Sequence, residues 1–533
     1  MNAGLQDYRI ETGNRTPTSG GRRHISAHFV SILSVFALIY FLSWPIVFSL
    51  DLWILKDRGS FLNLDYLLDE HLRLGVDTFY SYGLLPVSIQ HGLFLLFGRG
   101  YWPLIGCALV ASILTALFWA CLLRHVTRER ISLVVVLGMA WTLNSVNPNV
   151  AYSIVQLSLL FALLFVLMGR LDIGLAISAF GCWSVPSLPL VMTALLAAAI
   201  LLDWFIRRPR SLGNLLLKFA PGVATYSAIA IMLACEFGWQ SVLSTATPLA
   251  GMSFYKQVHY GSRQALMDFL HPWGYSGLHY LAYVLTTPVI WWILSILSLS
   301  VFAVLAIRRM VLLETLERKD LAIVLCALIQ VVFVCFAYGA PHQHYIYDPV
   351  LIAGMVLGLS SIRAGIVYKS LAVLFLGLGF AGQATLVHAD WKAWKGIRSS
   401  TETANLYANP NWVTEWKDIL QVSSSRNVLL FSYSTGAHHY FPTIHSPEIW
   451  MLREGLLLPA DKVRVMRQLD SADVIVLDLT SPTDLLDNDI DFQRYLYPMC
   501  LTRSTEYFQI WWRRSPETSG LQCIVDPRKP LRY

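Results

Sequence analysis

Val150-Ala-Tyr-Ser-Ile-Val-Gln-Leu-Ser-Leu-Leu-Phe-Ala-Leu-Leu-Phe-Val-Leu-Met168 runs for 19 residues without a charged side chain. Coiled as an α-helix, such a run spans roughly 28 Å, close to the ~30 Å hydrocarbon core of a bilayer. Runs of this kind recur from Ala27 to Val387, and the chain of 533 residues is 55% hydrophobic and only 14% charged. Soluble domains carry about 25% charged residues. The composition therefore excludes an ordinary soluble domain and predicts a mainly α, polytopic membrane protein.

The candidate crossings are Ala27–Leu50, Tyr101–Leu123, Ile131–Val146, Val150–Met168, Ile173–Leu202, Leu215–Cys235, Val284–Ile307, Leu321–Tyr338, Pro349–Ile362 and Ile366–Val387. Ile173–Leu202 is too long for one crossing and holds Pro186 and Pro189 near its middle. Proline removes a backbone donor and clashes with the preceding turn, so this run is expected as two short crossings, about eleven in all. Short cytoplasmic loops are enriched in lysine and arginine. With the amino terminus in the cytoplasm, Arg124, Arg128, Arg130, Arg170, Arg207, Arg208, Arg210, Arg308, Arg309, Arg318, Lys319 and Arg363 all fall inside. This alternation requires that Tyr82–Gly98 does not cross; it is expected as a helix at the outer surface, with Gln90 and His91 near water.

The predicted organisation is a cytoplasmic segment 1–26, a membrane domain 27–388 with long outside loops 51–100 and 236–283, and an extracytoplasmic domain 389–533. Arg22 and Arg23 precede the first run, which is longer than a signal-peptide core and lacks a small-residue cleavage site, so it reads as a retained span. In the tail, β-like runs at Asn427–Ser432, Asp473–Leu479 and Tyr507–Trp512 alternate with helical patterns at Ala460–Leu469 and Asp484–Leu496, which predicts a small α/β domain. Cys500 and Cys523 could bridge if that domain lies in an oxidising compartment. The other six cysteines lie in or beside apolar segments, where cysteine acts as a small hydrophobe. The net charge of +6 is scattered in short clusters between apolar runs, so it reads as topology and gives no nucleic-acid face.

The first outside loop gathers acids next to the membrane: Asn63-Leu-Asp65-Tyr-Leu-Leu-Asp69-Glu70-His71-Leu-Arg73-Leu-Gly75-Val-Asp77-Thr-Phe-Tyr80-Ser-Tyr82-Gly83-Leu-Leu-Pro86. Leu64, Leu67, Leu68, Leu72 and Leu74 recur at helical spacing and predict an amphipathic helix on the bilayer surface with its acids toward a central cavity. Asp65 and Asp69 are four apart, hence on one face, with Glu70 adjacent. The bland reading of each acid is a solvated face of a juxtamembrane helix.

An acidic loop directly after the first span, ending in an aromatic-rich Tyr-Gly-x-x-Pro segment at Tyr82-Gly83-Leu84-Leu85-Pro86 that leads into a surface helix, resembles the GT-C class of integral membrane glycosyltransferases. The resemblance is nearest to its protein-mannosyltransferase and aminoarabinose-transferase branch. It implies a polyprenyl- or dolichyl-phosphate sugar donor, an acceptor entering from outside, and a first-loop aspartate acting as base. Asp65 matches that position best, whereas the Asp-Glu pair of the branch is supplied four residues later by Asp69-Glu70; Asp77 is the third candidate. A glycosyl phosphate already has a good leaving group, so the enzyme mainly needs a carboxylate to take the acceptor's proton, worth about 10²–10⁴-fold. Attack from the face opposite the phosphate would invert the anomeric centre.

The donor phosphate needs cations or donors near the outer interface. Candidates are Arg73, Lys256, His259, Arg263, His342 and His344, with Glu70, Tyr82 and Tyr345 as further substrate contacts. The bland alternative for each cation is a snorkelling headgroup contact. His342 and His344 alternate without a third ligand, so no metal site is assigned, no cofactor is required, and a divalent cation is left open. The expected acceptor is a lipid, glycan or protein of the envelope; short loops and the lack of a retention signal favour a bacterial inner membrane. A transporter or flippase is the alternative, supported by the interrupted segment around Pro186 but not by the near absence of charges inside the spans. A non-catalytic scaffold is the third reading.

Overall fold

The computed structural model describes residues 59–80, 82–123, 150–206, 211–246, 288–313, 315–337 and 347–378, and in the tail 398–399, 407–408, 414–415, 419, 426–431, 444–445, 448–449, 457–479, 490, 492–515 and 520–524. The expected spans at Ala27–Leu50 and Ile131–Val146 lie outside these described residues, as do Lys256, His259, Arg263, His342, His344 and Tyr345.

Two helices precede the first described crossing: α1 (Gly59–Asp69) and α2 (Leu85–Phe97). The bundle follows with α3 (Tyr101–Leu123), α4 (Val150–Leu167), α5 (Leu171–Gly181), α6 (Ser187–Ile206), α7 (Leu212–Phe237), the short α8 (Trp239–Ala246), α9 (Pro288–Leu313), α10 (Arg318–Ala337), α11 (Asp348–Ser361) and α12 (Ile366–Leu378). Among the described residues, five helices are long and apolar enough to cross a membrane: α3, α4, α6, α7 and α9. The chain is a multi-pass membrane protein. The long run Ile173–Leu202 is broken, with the turn at residues 182–186 separating α5 from α6.

The bundle core joins α3, α4, α6, α9, α10 and α11 through Phe118, Leu163, Leu196, Phe302, Cys326 and Val356. With apolar lipid outside, helices associate by close packing and buried polar pairs. A Cβ at Gly354 would meet Cys326 at 2.6 Å and one at Gly358 would meet Phe302 at 2.6 Å, so glycine lets α11 press against α9 and α10. Charged residues near helix ends are paired: Lys218 with Asp203 at 2.9 Å between α7 and α6, and Arg309 with Asp320 at 2.8 Å between α9 and α10.

The tail carries β3 (Val428–Phe431), β4 (Ile444–His445), α13 (Pro459–Ser471), β5 (Val474–Asp478), α14 (Phe492–Leu496), β6 (Met499–Ser504) and β7 (Phe508–Arg513), after a two-residue antiparallel pair β1 (Arg398–Ser399) and β2 (Tyr407–Ala408). The five-stranded sheet has the order β4-β3-β5-β7-β6, parallel from β4 to β5 and antiparallel beyond. Central β3 and β5 are buried along their whole length, as continuous apolar runs should be in a sheet covered on both faces. Strand β6 was not anticipated, because Met-Cys-Leu-Thr-Arg-Ser has neither a clean alternation nor a β-branched run. It carries Cys500, which is disulfide-bonded to Cys523, and the Ile524 amide donates to the Leu501 carbonyl at 2.7 Å.

Candidate active site

A second, smaller core forms under the acidic loop. Phe61, Leu64, Leu67, Leu74, Phe79, Tyr80, Leu84 and Val87 pack with Trp183 from the α5–α6 break, Leu233 of α7 and Val242 of α8, and Leu458 of the tail joins them. This corrects the expected surface helix: the leucine stripe of α1 faces protein rather than lipid. Helix α1 ends on His71, whose φ of 57° is left-handed, so that Leu72 donates to the Leu67 carbonyl at 3.1 Å and closes the last turn.

Asp65 lies on α1 and is only 3% exposed. Its Oδ1 accepts from His91 Nδ1 at 2.7 Å, and its other oxygen is ion-paired with Arg99, whose guanidinium also holds Asp69. Helical spacing thus does place Asp65 and Asp69 on one face, and a single arginine spans both. Burial works against the Arg99 charge, but the hydrogen bonds to Asp65 and Asp69 outweigh it and hold the group firmly protonated. His91 is partly exposed as expected, whereas Gln90 is buried, since it turns to the inner side of α2 with Val87 and Phe94. His91 was expected only to lie near water and Arg99 was not named at all, so neither was read as a site residue in sequence. The signal for Arg99 was its position: a cation just before a membrane-length helix and next in sequence to an acid-rich loop has carboxylates to pair with.

The Tyr-Gly-x-x-Pro segment anchors α2. Gly83 donates to the Ser184 carbonyl at 2.6 Å and Leu85 to the Trp183 carbonyl at 3.0 Å, so this segment docks on the turn between α5 and α6. A Cβ on Gly83 would collide with the Trp183 backbone. Pro86 occupies the first turn of α2, where no intrahelical donor is needed. Tyr82 shares a hydrogen bond with Tyr152 of α4 at 2.7 Å and meets Tyr80 edge to face. The Trp183 indole donates to the Tyr226 carbonyl at 3.1 Å, which ties the same turn to α7.

Asp77 has a different partner from Asp65. Arg73 grips it with two side-chain bonds of 2.8 Å and reaches Gln240 of α8 at 2.6 Å. The Arg73 hydrogen bonds hold the Asp77 carboxyl below the ordinary carboxylate range, against the opposing effect of partial burial. Glu70 is exposed, and with burial first it raises the Tyr66 phenol above its ordinary value. The structure therefore brings Asp65, Asp69, His91 and Arg99 together and sets Arg73 and Asp77 apart as a surface fork. No group of three His, Cys, Asp or Glu side chains is arranged to hold a metal ion among the described residues.

A buried carboxylate flanked by an imidazole and a guanidinium can take a proton from an alcohol brought to it. No family model and no curated protein matches the chain. Among solved structures, ArnT from Cupriavidus metallidurans bound to undecaprenyl phosphate is similar: 13% identical, with a TM-score of 0.52, covering 95% of this chain and 100% of that one. The fold is GT-C-like. With 95% of the chain covered, the likeness takes in the membrane bundle and the carboxyl-terminal sheet together.

Proposed function

We propose that the protein transfers a sugar from a polyprenyl-phosphate donor to an alcohol of an envelope acceptor at the outer face of a bacterial inner membrane. The observation that carries this reading is the buried Asp65 carboxylate, fixed between His91 and Arg99 beside the start of a membrane-crossing helix. Support comes from the GT-C-like fold shared with a protein bound to undecaprenyl phosphate. The Cys500–Cys523 disulfide supports an oxidising compartment for the tail. It agrees with a cytoplasmic amino terminus and about eleven crossings.

In this mechanism Asp65 takes the acceptor's proton as the new bond forms to the anomeric carbon. The bond from that carbon to the phosphate oxygen breaks on the opposite face, so the configuration inverts and polyprenyl phosphate leaves. Arg99, ion-paired with the base, joins Arg73, Lys256, Arg263, His342 and His344 as a candidate for the phosphate; Asp69 and Glu70 stabilise the positively charged sugar ring, as paired carboxylates do in glycosidases. Tyr82 and Tyr345 are sugar or acceptor contacts.

The test replaces Asp65, Asp69 and Asp77 singly with Asn and measures transfer from a panel of undecaprenyl-phosphate hexoses and pentoses in membranes. Asp65→Asn is expected to lower the rate by about 10²–10⁴-fold at unchanged abundance, with Asp77→Asn close to wild type. Full transfer activity in all three variants would overturn Asp65 as the base, whereas no transfer from any donor by the wild-type protein would overturn the sugar-transfer reading and leave the transporter or flippase alternative.

A further inference from the structure

The tail reaches back onto the first outside loop through helix α13. Asp461, third residue of that helix, is fully buried, and its Oδ2 accepts two amides at 2.9 Å: that of Leu458, which caps the helix, and that of Phe79 in the loop. Arg464 pairs with the same carboxylate, donates Nη2 to the Asp77 carbonyl at 2.8 Å and Nε to the Glu448 carbonyl at 3.2 Å. The backbone N–H of Phe79 and C=O of Asp77 are thus both taken by α13, as a neighbouring strand would take them. A second, separate contact runs from the Asn63 side chain to the Ile449 carbonyl, two residues before Asp65 on α1.

Capping a helix needs no buried charge, since a carboxylate at an exposed N-terminus serves as well. Burial pushes the Asp461 carboxyl above its ordinary range, with the two amides and Arg464 opposing that push. A charge taken out of water is costly unless its partners are well placed, and here the partners are the loop that carries the candidate base. Besides its ties to α4 and α8, the loop is thus held by Gly83 on the α5–α6 turn, by residues 77 and 79 on α13, and by Asn63 on the segment before α13.

We infer that Asp461 and Arg464 are positioning residues for the transfer reaction, setting α1 and its Asp65 by clamping the loop from the tail domain. The inference rests on the sugar-transfer reading. It makes the tail a working part of the active site rather than a separate acceptor module.

The test uses the full-length protein in membranes with Arg464→Gln, Arg464→Lys and Asp461→Asn. Transfer from the undecaprenyl-phosphate sugar panel gives kcat and donor KM, hydrogen exchange reads the segment 73–80, and thermal shift reads binding of undecaprenyl phosphate alone. Arg464→Gln is expected to lower kcat by about 10–100-fold, the cost of a misplaced catalytic group, with donor KM and undecaprenyl-phosphate binding changed less than about twofold and faster exchange over 73–80. Arg464→Lys is expected to recover part of kcat, and Asp461→Asn, which keeps shape and both accepted amides, guards against misfolding. Faster exchange with kcat unchanged in both Arg464→Gln and Asp461→Asn would overturn the positioning role alone. No transfer by the wild-type protein from any donor would overturn the sugar-transfer reading, and this inference with it.

Discussion

Asp65 and Asp77 are carboxylates of one loop with opposite surroundings. Asp65 is buried between two partners from α2 and its exit, whereas Asp77 is tied at the surface by Arg73, four residues before it. For Asp77 the folded-state value lies below the unfolded one, so its contribution to stability is present at and above ordinary carboxylate pH and is lost as pH falls below that range. Asp77→Asn should therefore melt below the wild type at pH 7, and the gap should narrow as pH falls below the ordinary carboxylate range in detergent thermal melts. A gap that persisted in acid would mean that Asp77 acts through something other than its charge. In sequence the acids of this loop were visible as types and spacings, and Asp65 and Asp69 were correctly expected on one face. Their difference in surroundings was not visible, because it depends on Arg99 and His91, which lie 34 and 26 residues from Asp65.

Two features legible at the level of elements proved to be one contact. The Tyr-Gly-x-x-Pro segment was noted as a motif and the prolines near 186 as a break, and the structure docks the first on the second. Gly83→Ala is expected to cost about 1–3 kcal/mol through overpacking against backbone that cannot step aside, seen as a lower melting temperature and lower abundance of the full-length protein; an unchanged melt would show that the docking is slack. Span boundaries were read well where hydrocarbon thickness sets length: Tyr101–Leu123 is the same in sequence and structure. The leucine stripe of α1 was misassigned because periodicity reports that a face is apolar and not whether lipid or protein covers it.

Across the whole molecule, the membrane bundle and the tail answer to different forces. The tail is small and closed by Cys500–Cys523, which are 23 residues apart in sequence and 5.2 Å apart between Cα atoms. Replacing both with Ser should lower the stability of the tail by roughly 3 kcal/mol in the chain-entropy account, read as an earlier midpoint for proteolysis of the tail in urea while the bundle stays intact. Equal midpoints with and without the bridge would show that the sheet carries the domain alone.

By itself the sequence determined that the chain lives in a membrane, where its described long spans run, and that an α/β tail follows a loop rich in acids. These are local quantities: run length, composition and the period of side chains along one element. Only the tertiary structure decided that Asp65 meets Arg99 and His91, that Gly83 rests on Trp183, and that Asp461 holds Phe79 from 382 positions away. Such pairings follow from how the elements pack against one another, and no period within a single element encodes that.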